Sequence, residues 1–290
     1  MSSHPLIIFL SFFVVMKQKL KIPPGANGYA FLATQPLQRV IPHHHDELEV
    51  NLVLTGKGSY LFGNRRVPLP TYSMIWLFPK QEHVLIDRSH DFSMWVVVFR
   101  PELVGQETGQ TDRRILRSAD PGEIFCRQIA AGQVDALSQV YQGAADGRDD
   151  LEFLNAALGY ALVASWQAFQ FSRESIPLSN VHPAVAKAAR LISNADASLG
   201  LESLARQAGL SAPRLSRLFK QQTGISLTGF RQRQFLERFL RLYRTGTRYS
   251  LIEAALLAGF GSYPQFHRVF CRLMGMNPAA YRKRMGKAVK

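Results

Sequence analysis

Two groups of residues in this 290-residue sequence have types and spacings suited to chemistry. The first is the run His43-His44-His45-Asp46-Glu47-Leu48-Glu49, together with His83 further along the chain. His43, His45, Glu49 and His83 offer three imidazoles and a carboxylate, a donor set suited to Zn, Mn or Fe. The second is a pair of polar runs, Arg214 to Lys220 and Gln265 to Arg268, each placed shortly after a glycine. A guanidinium in such a run can bond guanine O6 and N7 together, and an ammonium can take a phosphate. The sequence holds no Walker loop, dinucleotide fingerprint or nucleophile elbow, and Gly56-x-Gly58 lacks the rest of any phosphate-binding pattern.

Charge separates the two regions. Residues 182–290 hold 19 Lys and Arg against 4 Asp and Glu, a net +15, whereas residues 1–181 hold 16 against 17, a net −1, which together give the chain's +14. A basic segment suits a polyanion, because neutralising phosphates releases counterions before any base is read. Anionic membrane is the competing partner. It is disfavoured because the positive residues follow a helix-turn-helix pattern instead of one amphipathic face. With 47% hydrophobic and 19% charged residues the chain can bury real cores, and its length points to two domains. Cys126 and Cys271 lie too far apart in sequence to suggest a disulfide framework and fit a reducing cytoplasm. The apolar stretch Leu6 to Val15 is about half the ~20 residues needed to span a bilayer. Met16, followed by Lys17, Lys19 and Lys21, is a plausible alternative start.

The elements that must position these residues are legible in outline. Glu49–Leu54, Ser59–Phe62, Met74–Phe78 and Ser93–Phe99 read as short strands broken by turns, with Gly63-Asn64 a tight-turn signal, which suggests a β-barrel or sandwich. From Pro121 to Phe171 the pattern is helical, and Leu151, Leu154, Leu158, Leu162 and Phe169 form a stripe that serves as core or dimer seam. Residues 173–181, with Pro177, read as a linker, and Pro183 opens a new helix.

Beyond the linker lies a degenerate repeat of about fifty residues. Leu201 to Phe219 matches Leu251 to Phe270, with an offset of 50 before the turn and 51 after it. Ala205 with Gly209, and Ala255 with Gly259, supply a small residue where two helices cross and a glycine where the turn needs positive φ. Ser211 and Ser262 are suited to cap the second helix of each copy. Leu215, Leu218 and Phe219 then face inward in the first copy, as do Phe266, Val269 and Phe270 in the second, leaving Arg214, Ser216, Arg217, Lys220, Gln265, His267 and Arg268 on other faces. One copy alone would read as an αα-hairpin. Two copies on a strongly basic background point to double-stranded DNA.

These residues resemble the AraC/XylS family of bacterial regulators. The resemblance rests on Leu204 to Ser211, Leu215 to Lys220 and Thr223-Gly224 in the first unit, then Ala258-Gly259-Phe260, Phe266 to Phe270 and Asn277 to Arg282 in the second. It implies an α+β protein of two domains. A cupin-like β-barrel with following helices (16–172) would bind a small-molecule effector and dimerise. An all-α domain (182–290) would carry two helix-turn-helix units joined by a linker helix near Leu227 to Tyr243, able to fold alone. The family's base-reading faces fall on Pro213, Ser216 and Arg217, and on Tyr263, Gln265, His267 and Arg268, with Arg214 and Lys220 beside them. Pro213, Pro264 and Cys271 depart from the residues common at their positions, which leaves the target sequence open. The implied function is effector-responsive transcription regulation, most often activation, with RNA polymerase as a further partner and no enzymatic activity.

In the N-terminal part, His43-x-His45-x3-Glu49-x6-Gly56 fits the first cupin motif and Pro79-x3-His83 the end of the second. The second motif has Ser73 and Gln81 where glycines are usual, so the approach of His83 to the other donors is not assured. The expectation is therefore no metal and no cofactor. Tyr60, Phe62, Trp76 and Trp95 are the candidate effector-lining residues, although alternate strand positions point outward. The rival reading, a cupin enzyme fused to a DNA-binding module, would require a metal at His43, His45, Glu49 and His83.

Overall fold

The computed structural model describes residues 16–17, 20–34, 43–109, 112–194, 199–243 and 249–287. The stretch Leu6 to Val15 lies outside them.

The N-terminal strands form two sheets. Sheet one runs in the order β1 (Met16–Lys17), β3 (His43–His44), β8 (His83–Arg88), β5 (Gly58–Phe62), β6 (Arg65–Leu69) and β11 (Ser179–Asn180). Sheet two runs β10 (Phe125–Gln128), β7 (Ser73–Leu77), β4 (Leu48–Thr55), β9 (Ser93–Phe99) and β2 (Gly28–Ala33). They share no strand, so the expected barrel is an open jelly-roll sandwich of cupin-like type. Gly63 takes φ +54 in the tight turn joining β5 to β6.

The strands β7, β4 and β9 of sheet two are buried on both faces, and the strand period of two decides which residue goes where. Val53, Ile75, Leu77, Val96 and Val98 join a cluster with sheet one. Leu48, Val50, Leu52, Trp76, Trp95, Val97 and Phe99 alternate with them and join a second cluster with the helices. Those helices are α1 (Pro101–Glu107), α2 (Ala131–Asp146) and α3 (Leu151–Phe171), with a 3-10 turn at Asp112–Arg117. Leu154, Leu158, Leu162 and Phe169 of α3 are buried there, so the leucine stripe is core; only Leu151, at the helix start, is exposed.

Two readings of the middle of the chain need correction. Phe125–Gln128 is a strand and not the start of a helical region, because its backbone pairs with β7 from Trp76 to Ser73. Residues 173–181 are also partly paired: Ser179 and Asn180 add to β6, and the Val181 amide donates to the Asn64 carbonyl at 2.7 Å. An edge strand with free backbone groups recruits whatever extended chain passes it.

Gly56 shows how tightly a turn here is made. It holds φ +70, and a Cβ there would lie 2.8 Å from backbone atoms of Phe92. Gly56→Ala is expected to lower stability by about 1–3 kcal/mol, read as an earlier denaturant midpoint.

The C-terminal part is helical: α4 (Pro183–Asn194), α5 (Leu201–Ala208), α6 (Ala212–Thr223), α7 (Leu227–Leu242), α8 (Leu251–Ala258), α9 (Tyr263–Met274) and α10 (Pro278–Lys287). Val185, Leu204, Leu215, Phe219 and Phe230 belong to the same cluster as sheet one, and Arg190 Nε donates to Glu82 Oε1 at 3.0 Å. Among the described residues the second unit has a separate core, built from α7 to α9 around Phe239, Phe266 and Phe270. The helices α4 to α7 pack chiefly on one another, and their core is continuous with that of sheet one.

Candidate nucleic-acid interface and barrel cluster

Each helix-turn-helix unit is set by local chemistry. Gly209 ends α5 at φ +78, and Gly259 ends α8 at φ +109, left-handed conformations that glycine adopts without steric cost. Ala205 and Ala255 are fully buried where the helices cross. A capping box of Ser250 and Glu253 starts α8, and the Ser262 hydroxyl accepts the Gln265 amide at 3.3 Å to start α9. Ser211 occupies the equivalent cap position of α6, but its side chain accepts no capping bond, contrary to expectation. Between the units, α7 is a 16-residue strut capped by Ser226, about 24 Å long at 1.5 Å per residue.

The inward faces are as the periodicity predicts. Leu215 and Phe219 on α6, and Phe266, Val269 and Phe270 on α9, are buried. Arg214, Arg217 and Lys220 stand exposed on α6 with Ser216 half-buried, and Tyr263, His267 and Arg268 stand exposed on α9. Gln265 is half-buried, and its Oε1 accepts the Gly261 amide at 2.8 Å. That oxygen is committed to the turn, so Gln265 is less available than its position in the sequence suggests. His267 lies one helical turn from Cys271, 3.8 Å from its Sγ. Several other basic residues serve the fold: Arg231 donates to the Leu199 carbonyl, Arg238 to that of Ala258, and Arg272 to Gln232 Oε1. Charge counting alone does not distinguish these from the exposed set.

In the sandwich interior, the sheet register brings the first chemical group together. His43 and His83 are direct cross-strand partners on β3 and β8, with ring centroids 4.4 Å apart. His45 joins them, so one nitrogen from each of the three rings lies within 4.8 Å of the others. The approach of His83, which the altered second motif left in doubt, is achieved. Glu49 Oε2 lies 3.2 Å from His45 Nε2, and Glu49 Oε1 accepts from Asn51 Nδ2 at 2.9 Å. Asn51 Nδ2 also donates to the Tyr60 hydroxyl at 3.0 Å. Burial opposes the Glu49 charge, yet the surrounding imidazoles, His45 nearest, hold its carboxyl down at about 2. Burial, reinforced by His43, pushes His83 well below its ordinary value and keeps that ring neutral. Asn51 was not singled out in the sequence; its alternation with Glu49 on β4 was the available signal.

The four aromatic effector candidates divide. Tyr60 and Phe62 face the interior, 5.7 and 6.0 Å from the His83 ring. Trp76 and Trp95 do not: Trp76 packs on Phe99 and Trp166, and Trp95 on Tyr141, under the helices. They lie on the strand positions that alternate with Ile75 and Val96, and the helices claim that face. A separate open cleft of about 530 Å³ lies where sheet one meets the linker, lined by Lys57, Arg66, Asp87, Glu174 and Pro177 among others.

Burial draws Arg88 down to about 10, and Glu237 on α7 partly restores its charge. With the Arg190–Glu82 pair, this ties both ends of β8 to the helical domain. Among the described residues no helix is long and apolar enough to cross a membrane.

Two family models match the chain: an AraC-like ligand binding domain over residues 26–162 and a helix-turn-helix domain over residues 204–284. The arabinose operon regulatory protein of Salmonella typhimurium is 28% identical over 281 residues, covering 90% of this chain and 90% of that protein. The transcriptional activator RhaR of Pectobacterium atrosepticum is 25% identical, covering 85% of this chain and 88% of that protein. Among solved structures, that of ToxT from Vibrio cholerae O395 has 13% identity and a TM-score of 0.36, over 88% of this chain and 95% of that one.

Proposed function

The chain belongs to the AraC family of transcription regulators, and on that premise we propose that it inserts α6 and α9 into successive major grooves on one face of duplex DNA. It is a DNA-binding, effector-responsive regulator. The observation that carries the insertion reading is the pair of exposed basic helix faces, Arg214, Arg217 and Lys220 on one and His267 and Arg268 on the other, joined by the α7 strut. Recognition helices set near one turn of duplex, ~34 Å, read the same face.

The remaining parts of the reading extend from this. The regulator works as an activator in the cytoplasm, touches RNA polymerase, and has no catalytic activity of its own. The exposed Ile252, Leu256 and Leu257 of α8, beside the DNA-reading helix, support a protein contact there. Homodimerisation through the N-terminal domain is supported by exposed Phe153, Tyr160 and Phe171 on α3, since the leucine stripe is spent on the core. A small effector is held by the N-terminal domain, with Tyr60 and Phe62 lining its interior. Trp76 and Trp95 drop out of that role.

Selection of duplexes from a random pool by the full-length chain, followed by footprinting, tests the proposal. Two protected segments about one helical turn apart are expected; a single segment, or no enrichment, would refute it. Lys220→Ala is expected to weaken selected and random duplexes equally and to reduce the slope of log affinity against log salt by about 1. An effect confined to the selected sequence would make Lys220 a base reader.

A further inference from the structure

We propose that His43, His45 and His83, with Glu49 as fourth ligand, bind one divalent late first-row transition ion inside the N-terminal domain, Zn²⁺ being the best match. The inference goes beyond DNA recognition and does not depend on it.

Three imidazole nitrogens from two adjacent strands and the segment between β3 and β4 lie within 4.8 Å of one another, and the Glu49 carboxylate reaches within 3.2 Å of His45 Nε2. A tetrahedral ion at about 2.1 Å from each nitrogen sets its donors about 3.4 Å apart, within reach of modest ring rotations. An all-nitrogen-and-oxygen set with no thiolate suits Zn²⁺ and its neighbours.

Each buried ring is oriented by an outer partner. The Nδ1 of His45 is 2.8 Å from the Glu47 carbonyl, and the Nδ1 of His83 is 2.9 Å from the Gln81 carbonyl. A carbonyl can only accept, so each Nδ1 carries a proton; the Nε2 of His83 is left with its lone pair, and the Nε2 of His45, 3.2 Å from Glu49 Oε2, exchanges that ion pair for the metal. This is how ligating histidines are oriented in metal sites. Asn51 plays the same part for Glu49, holding Oε1 by its Nδ2 and leaving Oε2 toward His45.

Leaving these groups without an ion is costly. His45, Glu49, Asn51 and His83 are all buried in an interior that is mostly Val, Leu and Ile, with Tyr60 and Phe62 beside the His83 ring, and Asn51 Oδ1 is buried without a hydrogen-bond partner. An unsatisfied polar atom in an apolar core is destabilising, and a water carried by the bound ion gives Asn51 Oδ1 a donor. His43 is the half-buried member and gives the ion a route in from the surface.

Full-length protein without a His tag, stripped with chelator, is titrated with Co²⁺ and then Zn²⁺. One equivalent of Co²⁺ with visible d–d absorption, displaced by one equivalent of Zn²⁺, is expected. Asn51→Ala should weaken binding about 10–100-fold, as loss of an outer partner does, and His45→Ala and His83→Ala by more. His44→Ala, on the alternate strand position, should leave binding unchanged. If an alanine variant loses its circular dichroism signal, His83→Gln keeps the volume and must still lose the ion. Absence of saturable Co²⁺ binding, or binding that survives in the folded His83→Gln variant, overturns the proposal.

Discussion

Phe266→Ala is expected to cost about 3–5 kcal/mol and to abolish binding to a selected duplex, although Phe266 is fully buried. The second unit rests on a small aromatic core. The Phe266 ring lies 4.5 Å from Phe239, 5.3 Å from Phe260 and 5.3 Å from Phe270, and all four are fully or nearly fully buried. Removing its ring leaves a cavity that α8 and α9 cannot close without giving up the angle between them. Because the second unit's core is a cluster separate from those of the sandwich, the loss should be local: α9 detaches while the sandwich stays folded. Denaturant unfolding followed by tryptophan fluorescence checks this, since Trp76, Trp95 and Trp166 all lie in the N-terminal domain. An unchanged tryptophan transition together with lost DNA binding is the expected pair of results. Full DNA affinity in the variant would mean that the second unit is not used for binding.

The double variant Arg217→Ala with Arg268→Ala should lose about 2–6 kcal/mol of binding to the selected duplex, or 1–3 kcal/mol for each lost bidentate contact. Both side chains are exposed, one on each recognition helix, so the fold should survive. The two sites lie on separate helices with separate cores, and their effects should add. Binding to random duplex should fall far less, by the loss of two charges only. Equal losses on both duplexes would reassign the pair to phosphate contacts. Because a protein read through one unit would lose nothing from the second change, the single variants also report whether both helices engage.

Much of this molecule is written locally. The repeat around Gly209 and Gly259, the strut from Leu227 and the inward faces of α6 and α9 follow from glycine conformation, capping serines and helical period, all of which act within a few residues. Charge, too, is additive along the chain, so the location of the polyanion-binding half needed only counting. The exposed Arg217 and Arg268 were legible for the same reason: burying their neighbours at three- and four-residue spacing leaves them outside.

What the sequence left open depended on which segment lies beside which. Trp76 and Trp95 could have faced either side of sheet two, because strand alternation gives parity but no sign; the helices α2 and α3 set the sign. Phe125–Gln128 and Ser179–Asn180 became strands only because β7 and β6 offered free edges. Gln265 looked free until its Oε1 met the Gly261 amide. The histidine cluster is the clearest case: spacing suggested four ligands and the missing glycines argued against them, but only the pairing of His43 with His83 across β3 and β8 brings the rings together. The two helix-turn-helix units and the charge that draws them to duplex were legible in the chain alone, because they rest on short-range backbone and side-chain preferences. The tertiary structure alone decided the interior chemistry of the N-terminal domain, because strand register joins residues whose separation in sequence carries no information about their distance.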